Sequence, residues 1–332
     1  MLGVIFVNGW TDAPNAIATV VSTRVLSPGL AVKLAMLFNF IGALVMTMIS
    51  AKVANTLSHL VDFDTSTPGG QKMALIVFAV AMFSIVLWAV MAWYFGIPTS
   101  ESHALIAGIT GGALALGGLK SVHMGEWKKV LIGLGISLIL GFIMGYLTTK
   151  LLEVIFRNIK RRSAEKGFAT AQIFGALAMA FMHGAQDGQK FMGTFVVGIY
   201  LYDASMVTQT GGDFAIPFWM VVLCSAVMGI GTSIGGYKII KTVGMDMVKL
   251  QKYQGFAADA AASLCLLFSS VTGIPVSTTH TKTTSIMGVG ASRRLSAVNW
   301  GVVKEMLSAW ILTFPGCGLI AYLMAKLFMF VL

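Results

Sequence analysis

The sequence predicts an all-α polytopic membrane protein: two inverted-topology repeats of about five helical elements each, with broken half-helices at the membrane midplane. Composition, a doubled set of motifs, and helix breakers placed beside ionisable residues lead to that reading. Of 332 residues, 57% are hydrophobic and 11% charged, against roughly 25% charged in soluble domains. Apolar runs recur at Leu30 to Ser50, Ala74 to Phe95, Val130 to Ile155, Phe218 to Ile240 and Trp300 to Leu332. Each is long enough as a helix to cross about 30 Å of hydrocarbon. The multi-pass pattern points to the cell membrane, with the lipid bilayer as surroundings.

A net charge of +10 could suggest a nucleic-acid partner, but the basic residues gather in short joints such as Arg157 to Lys166. Topology explains them better, so no nucleic acid is expected. Positive-inside counting puts that joint, Lys238 to Lys252 and Arg293/Arg294 in the cytoplasm, and the stretch from Asp203 to Asp213 outside. Cys224, Cys265 and Cys317 are scattered through apolar runs without metal-ligand spacing, so neither a zinc site nor a disulfide frame is expected.

The duplication is read from three landmarks. FVNGWTDAPN at 6–15 and FMHGAQDGQK at 181–190 share Phe, Gly and Asp at an offset of 175 residues. IPTSESH at 97–103 and IPVSTTH at 274–280 repeat at 177, and Trp127 and Trp300 at 173. The halves are therefore 1–156 and 168–332, joined by a basic cytoplasmic linker at 157–167. Five helical elements per half, an odd number, invert the second copy.

Helix breakers fall inside the motifs. Pro14 follows Asp12 and, having no N–H, restarts a helix near its first turn. Gly184 and Gly188 flank Asp187, which predicts a matching break there. Pro98 and Pro275 precede Ser100 and Ser277, natural N-caps for helical pieces over 104–119 and 282–291. Four helix N-termini at membrane depth would form a ready anion site, phosphate above all.

The side chains narrow the ligand. Hydroxyls (Thr11, Ser100, Ser102, Ser277, Thr278, Thr279), amides (Asn8, Asn15, Gln186), His103, His280 and the carboxylates Asp12 and Asp187 converge on the motifs. An ionised group at the bilayer centre costs roughly 2.5 to 3.5 kcal/mol, so His183, Asp187 and Lys190 within eight residues need partners or a bound ion. Carboxylates repel an oxyanion unless they hold a cation or accept a proton from the ligand. Phosphate carries such a proton near neutral pH, and sulfate does not. Asp187 and Lys190 are either a local ion pair that makes insertion tolerable, or an ammonium standing in for one bound cation. His183 occupies the place of Asn8, and hydrogen bonding suits both. Glu101 is a functional carboxylate or a charge at a pore mouth; His59 and His123 read as loop histidines.

These residues resemble the inorganic phosphate transporter (PiT) family of sodium- or proton-coupled symporters, in its prokaryotic form. Its Gly-Ala-Asn-Asp-Val-Ala-Asn-Ala signature is similar at Gly9, Asp12, Asn15 and Ala16, with Trp10 and Thr11 replacing Ala and Asn. MHGAQDGQKFMG resembles the second copy at His183, Gly184, Asp187, Gln189, Lys190, Met192 and Gly193, with Gln186 as the departure. The stretch Gln254 to Gly290 is the closest, with Asp259 where the family usually has Glu. The resemblance implies phosphate ligands among Thr11, Asn15, Ser100, Ser102, Gln186, Ser277, Thr278 and Thr279. It implies coupling-cation ligands at Asp12, Asp187, Asn8 and Asp259, with sodium at Asp12 and Asp187. His103, His183, Lys190 and His280 would support them. Asn39 stands where the family often has a glutamate, which puts one cation site in doubt.

The expected function is cation-coupled import of inorganic phosphate by alternating access, driven by sodium or protons, with no cofactor and no enzymatic step. An anion channel and an intramembrane phosphohydrolase are the alternatives. Arsenate or a metal–phosphate complex are further candidate substrates, and a homodimer the candidate assembly.

Overall fold

The computed structural model describes residues 1–63, 67–96, 99–210 and 213–331. Ile97 and Pro98, which open the first Ile-Pro motif, lie outside the described residues. The described chain is almost entirely helical. Its first half runs α1 (Leu2–Thr11), α2 (Pro14–Ser22), α3 (Pro28–Ile49), α4 (Lys52–Ser58), α5 (Pro68–Phe95), α6 (Glu101–Gly117) and α7 (Met124–Ile155). The second runs α8 (Arg161–Tyr202), α9 (Phe218–Ser233), α10 (Tyr237–Lys241), α11 (Lys252–Thr272), α12 (Thr278–Arg293) and α13 (Trp300–Val331). Two short strands, Gln209–Thr210 and Asp213–Phe214, pair antiparallel between α8 and α9. The basic residues Arg161 to Lys166 form the exposed first turns of α8.

Among the described residues, seven helices are long and apolar enough to cross a membrane. Residues 218–233 and 237–246, bent by 69°, make an eighth if counted as one broken span. The chain is a multi-pass membrane protein. α12, 16 residues long and opening on TTHTKTTS, is not among those seven, yet it is buried from Thr278 to Ser292. A polar helix at membrane depth is tolerated only where protein surrounds it, and α12 accordingly occupies the interior.

The helices exchange partners between halves. α6 packs on α13 while α12 packs on α7; α3 packs on α8 while α1 packs on α9. Glycines allow the closest of these approaches. A Cβ at Gly42 would run into the backbone of Phe181, one at Gly184 into that of Asn39, and one at Gly288 into that of Phe142.

That packing corrects one expectation. α8 continues without interruption through Gly184, Asp187 and Gly188, so the second half presents no helix N-terminus at Asp187. Without a proline nothing removes a backbone donor there, and the two glycines, one turn apart, serve as the flat surface on which α3 lies. Beyond the α1–α2 joint, each half is also broken in its second element. α3 stops at Ile49 before α4, and α9 stops at Ser233 before a turn made by Gly235 at φ +67°, a left-handed conformation that glycine adopts without steric cost.

Candidate functional site

The breaks that were predicted correctly carry the site. Pro14 opens α2 and cannot donate to the Trp10 carbonyl. The N–H groups of Asp12 and Ala13 both turn back to Asn8 O at 2.9 and 3.3 Å, which holds Asp12 at the joint between α1 and α2. Ser100 and Ser277 cap α6 and α12, accepting from the N–H of His103 at 3.4 Å and of His280 at 3.1 Å. The helices start at Glu101 and Thr278, a few residues earlier than the sequence predicts, because each cap takes the residue after it as N1.

Asp12, His183 and Asp187 are all buried, with ligand atoms within 4.8 Å of one another. His183 Nε2 is 3.5 Å from Asp187 Oδ2 and 4.0 Å from Asp12 Oδ2, and its Nδ1 pairs with Asn39 Oδ1 at 3.0 Å. The residue three positions on supports each aspartate. Asn15 Nδ2 donates to Asp12 Oδ1 at 2.7 Å, and Lys190 Nζ donates to Asp187 Oδ1 at 2.7 Å. Asn8 Nδ2 also donates to Asp187 Oδ2, at 3.1 Å.

Some of the remaining bonds cross between halves and others stay within one. Thr279 Oγ1 donates to Asp12 Oδ1 at 2.6 Å, while Lys190 donates to Ser102 Oγ at 2.7 Å and to the Val276 carbonyl at 2.6 Å. Thr278 Oγ1 sits between the carboxylates, 3.2 Å from Asp187 Oδ2 and 3.4 Å from Asp12 Oδ2. Thr11 Oγ1 bonds the Val7 carbonyl at 2.8 Å and Glu101 Oε1 at 3.0 Å. Glu101 is therefore a buried member of the cluster rather than a charge at its mouth.

Three atoms here have no hydrogen-bond partner among the described residues: Asn8 Oδ1, Asn15 Oδ1 and His183 Nε2. A buried polar atom left bare costs about 1 to 3 kcal/mol. Two bare amide oxygens beside two carboxylates are hard oxygen ligands, the donor set that suits a small hard cation.

Not every expected residue joins this centre. His103 and His280 pack behind the helix tips, edge to face at 4.5 Å, with His103 Nδ1 3.2 Å from the Trp310 carbonyl. Gln186 turns away, donating to the Ile274 carbonyl at 3.2 Å and accepting from Ser270 at 3.3 Å, so it braces the turn before Ser277. Asp259 lies in a second cluster, bonded to Lys282 and to Thr19. The sequence reading passed over Thr19 and Lys282; the signal was a lysine inside a run of small and hydroxyl residues. His59 and His123 are surface residues near Asp213 and Asp62.

A bundle of membrane-spanning helices closed around carboxylates, amides and hydroxyls drawn from both halves has the make-up of a membrane transport protein. The chain belongs to the phosphate transporter family, which it matches over residues 8–163 and 155–321. It is 37% identical over 320 residues, 96% of this chain and 92% of the other, to a Bacillus subtilis (strain 168) protein named "Probable low-affinity inorganic phosphate transporter". It is 38% identical over 319 residues, 96% and 91% of the two chains, to a Rhizobium meliloti (strain 1021) protein of the same name. The solved structure titled "The sodium-dependent phosphate transporter" shares the fold, with a TM-score of 0.87 at 22% identity over 100% of this chain and 98% of that one.

Proposed function

We propose that this protein imports inorganic phosphate across the cell membrane together with a monovalent cation, sodium or a proton, by opening its central cluster alternately to either side. The observation that carries this reading is the placement of Thr278 and Thr279, at the tip of α12, against both Asp12 and Asp187. A cation between the aspartates would take carboxylate oxygens together with Asn8 Oδ1 and Asn15 Oδ1. Those two hydroxyls, now donating to carboxylates, would then be free to donate to an oxyanion. First-turn N–H groups of α6 and α12 add donors and a partial positive charge. Neutralising the aspartates also removes their repulsion of the anion, so cation and phosphate raise each other's affinity by one common factor.

The reciprocal bonds, Asp12 to Thr279 and the Asp187–Lys190 pair to Ser102, support two inverted halves, 1–156 and 168–332, meeting at this centre. Radiolabelled phosphate uptake into proteoliposomes under a sodium gradient, a pH gradient or neither tests the reading. Uptake indifferent to both gradients removes the coupling; no phosphate uptake, with sulfate or another anion carried instead, removes the substrate.

A further inference from the structure

The second buried cluster contains one carboxylate, one ammonium and one hydroxyl, all fully enclosed: Asp259 on α11, Lys282 on α12 and Thr19 on α2. Thr19 Oγ1 lies 2.8 and 3.0 Å from the two Asp259 oxygens, and Lys282 Nζ bonds Asp259 Oδ1 and, at 3.2 Å, Thr19 Oγ1. The nitrogen of a primary ammonium held by a carboxylate and a hydroxyl has the surroundings that a small monovalent cation would choose.

The fold does not require a charged pair at this place. At the repeat offset of 177 residues, Asp259 corresponds to Met82 and Lys282 to Leu105, and both of these first-half residues are buried in one apolar cluster. Well-packed apolar residues in place of a buried ion pair are commonly neutral or stabilising, so the pair is not explained by stability.

Its position links it to the central site. α2 leads from Asn15, beside Asp12, to Thr19, about 6 Å along the helix at 1.5 Å per residue, and on α12 Lys282 follows Thr279 by one turn.

We propose that Lys282 is a tethered counter-cation, filling between Asp259 and Thr19 a site that would otherwise bind a free sodium ion. One of the positive charges belonging to the carrier is then built in rather than taken from solution. The cation site stands independently of phosphate transport; only its consequence for coupling rests on that reading.

The test compares the full-length wild type, Lys282→Ala and the double variant Asp259→Met with Lys282→Leu, which copies the first half. Thermal unfolding is followed as sodium chloride replaces choline chloride at constant ionic strength. Lys282→Ala should gain a saturable, sodium-dependent rise in melting temperature of several degrees beyond any in the wild type, and the double variant should lack that gain. Folding of Lys282→Ala only when sodium is present would support the assignment equally. A sodium response no larger in Lys282→Ala than in the double variant overturns it. So does failure of Lys282→Ala to fold in any alkali chloride while the double variant folds. In proteoliposomes Lys282→Ala should carry one more positive charge per phosphate than the wild type. If even the wild type takes up no phosphate, the transport reading fails and the unfolding result stands by itself.

Discussion

Ser100 Oγ and Ser277 Oγ lie 2.8 Å apart, so the caps of α6 and α12 are bonded to each other across the two halves. One hydroxyl must donate to the other, whose own proton is left to point elsewhere, and in the proposed transport cycle phosphate would take it. Ser277→Ala removes the cap on the His280 N–H, worth about 1 kcal/mol, together with the shared bond. The melting temperature should fall by a few degrees while phosphate affinity falls about tenfold or more, the value of a lost hydrogen bond to a charged ligand at about 1.5 to 3 kcal/mol. Ser277→Thr keeps the hydroxyl and should restore both. Isothermal titration with phosphate, run beside thermal unfolding, separates the two effects.

Asp12→Asn and Asp187→Asn keep the volume of the side chain and remove its charge. Either change withdraws the counter-charge of a cation held between them and sets a new N–H donor against Thr278 or Thr279. Losing one partner of a buried charged contact costs about 2 to 5 kcal/mol, so uptake should fall about a hundredfold in each variant at unchanged expression. Uptake at wild-type rates in either would remove that aspartate from the site.

Much of this arrangement is legible in the sequence, because its motifs occur twice and proline, unlike glycine, has one backbone meaning. Pro14 and the serine caps identified three helix starts. Gly184 and Gly188 misled because glycine breaks a helix in one context and permits close packing in another; only the neighbour, Asn39 on α3, decides which. Glu101, Thr19 and Lys282 could not be placed from spacing. Their partners Thr11 and Asp259 are 90, 240 and 23 residues away, and the second cluster has no counterpart in the first half to mark it.

The glycine reading has a direct check. A methyl group at residue 184 would meet the Asn39 backbone, and one at 188 would sit 2.7 Å from Ala43 Cβ. Overpacking of this kind costs about 1 to 3 kcal/mol. Gly184→Ala should therefore destabilise the protein and, by pushing Asn39 off His183, weaken cation binding as well. Gly125→Ala, in the first turn of α7 with open space around it, should change stability by no more than about 0.5 kcal/mol. Equal melting temperatures for the two variants would show that α3 and α8 do not need this contact.

The two halves differ at one position whose exchange should alter the charge carried per phosphate. Asp12 is followed at the third residue by Asn15, and Asp187 by Lys190. Lys190 spends its three protons on Asp187, Ser102 Oγ and the Val276 carbonyl. The residues at those positions in the other copy, Thr279 and Thr99, already lie beside Asp12, where Thr279 Oγ1 bonds the Asp12 carboxylate at 2.6 Å and the Thr99 carbonyl at 3.5 Å. An ammonium introduced by Asn15→Lys would find the same three acceptors and occupy the place of a free cation. Each turnover should then carry one cation fewer, and phosphate binding should lose its dependence on the cation held at Asp12. Lys190→Asn should do the reverse and add one cation. Reversal potentials in proteoliposomes report the ratio of charge to phosphate directly. An unchanged ratio in both variants would mean that neither aspartate sets the stoichiometry.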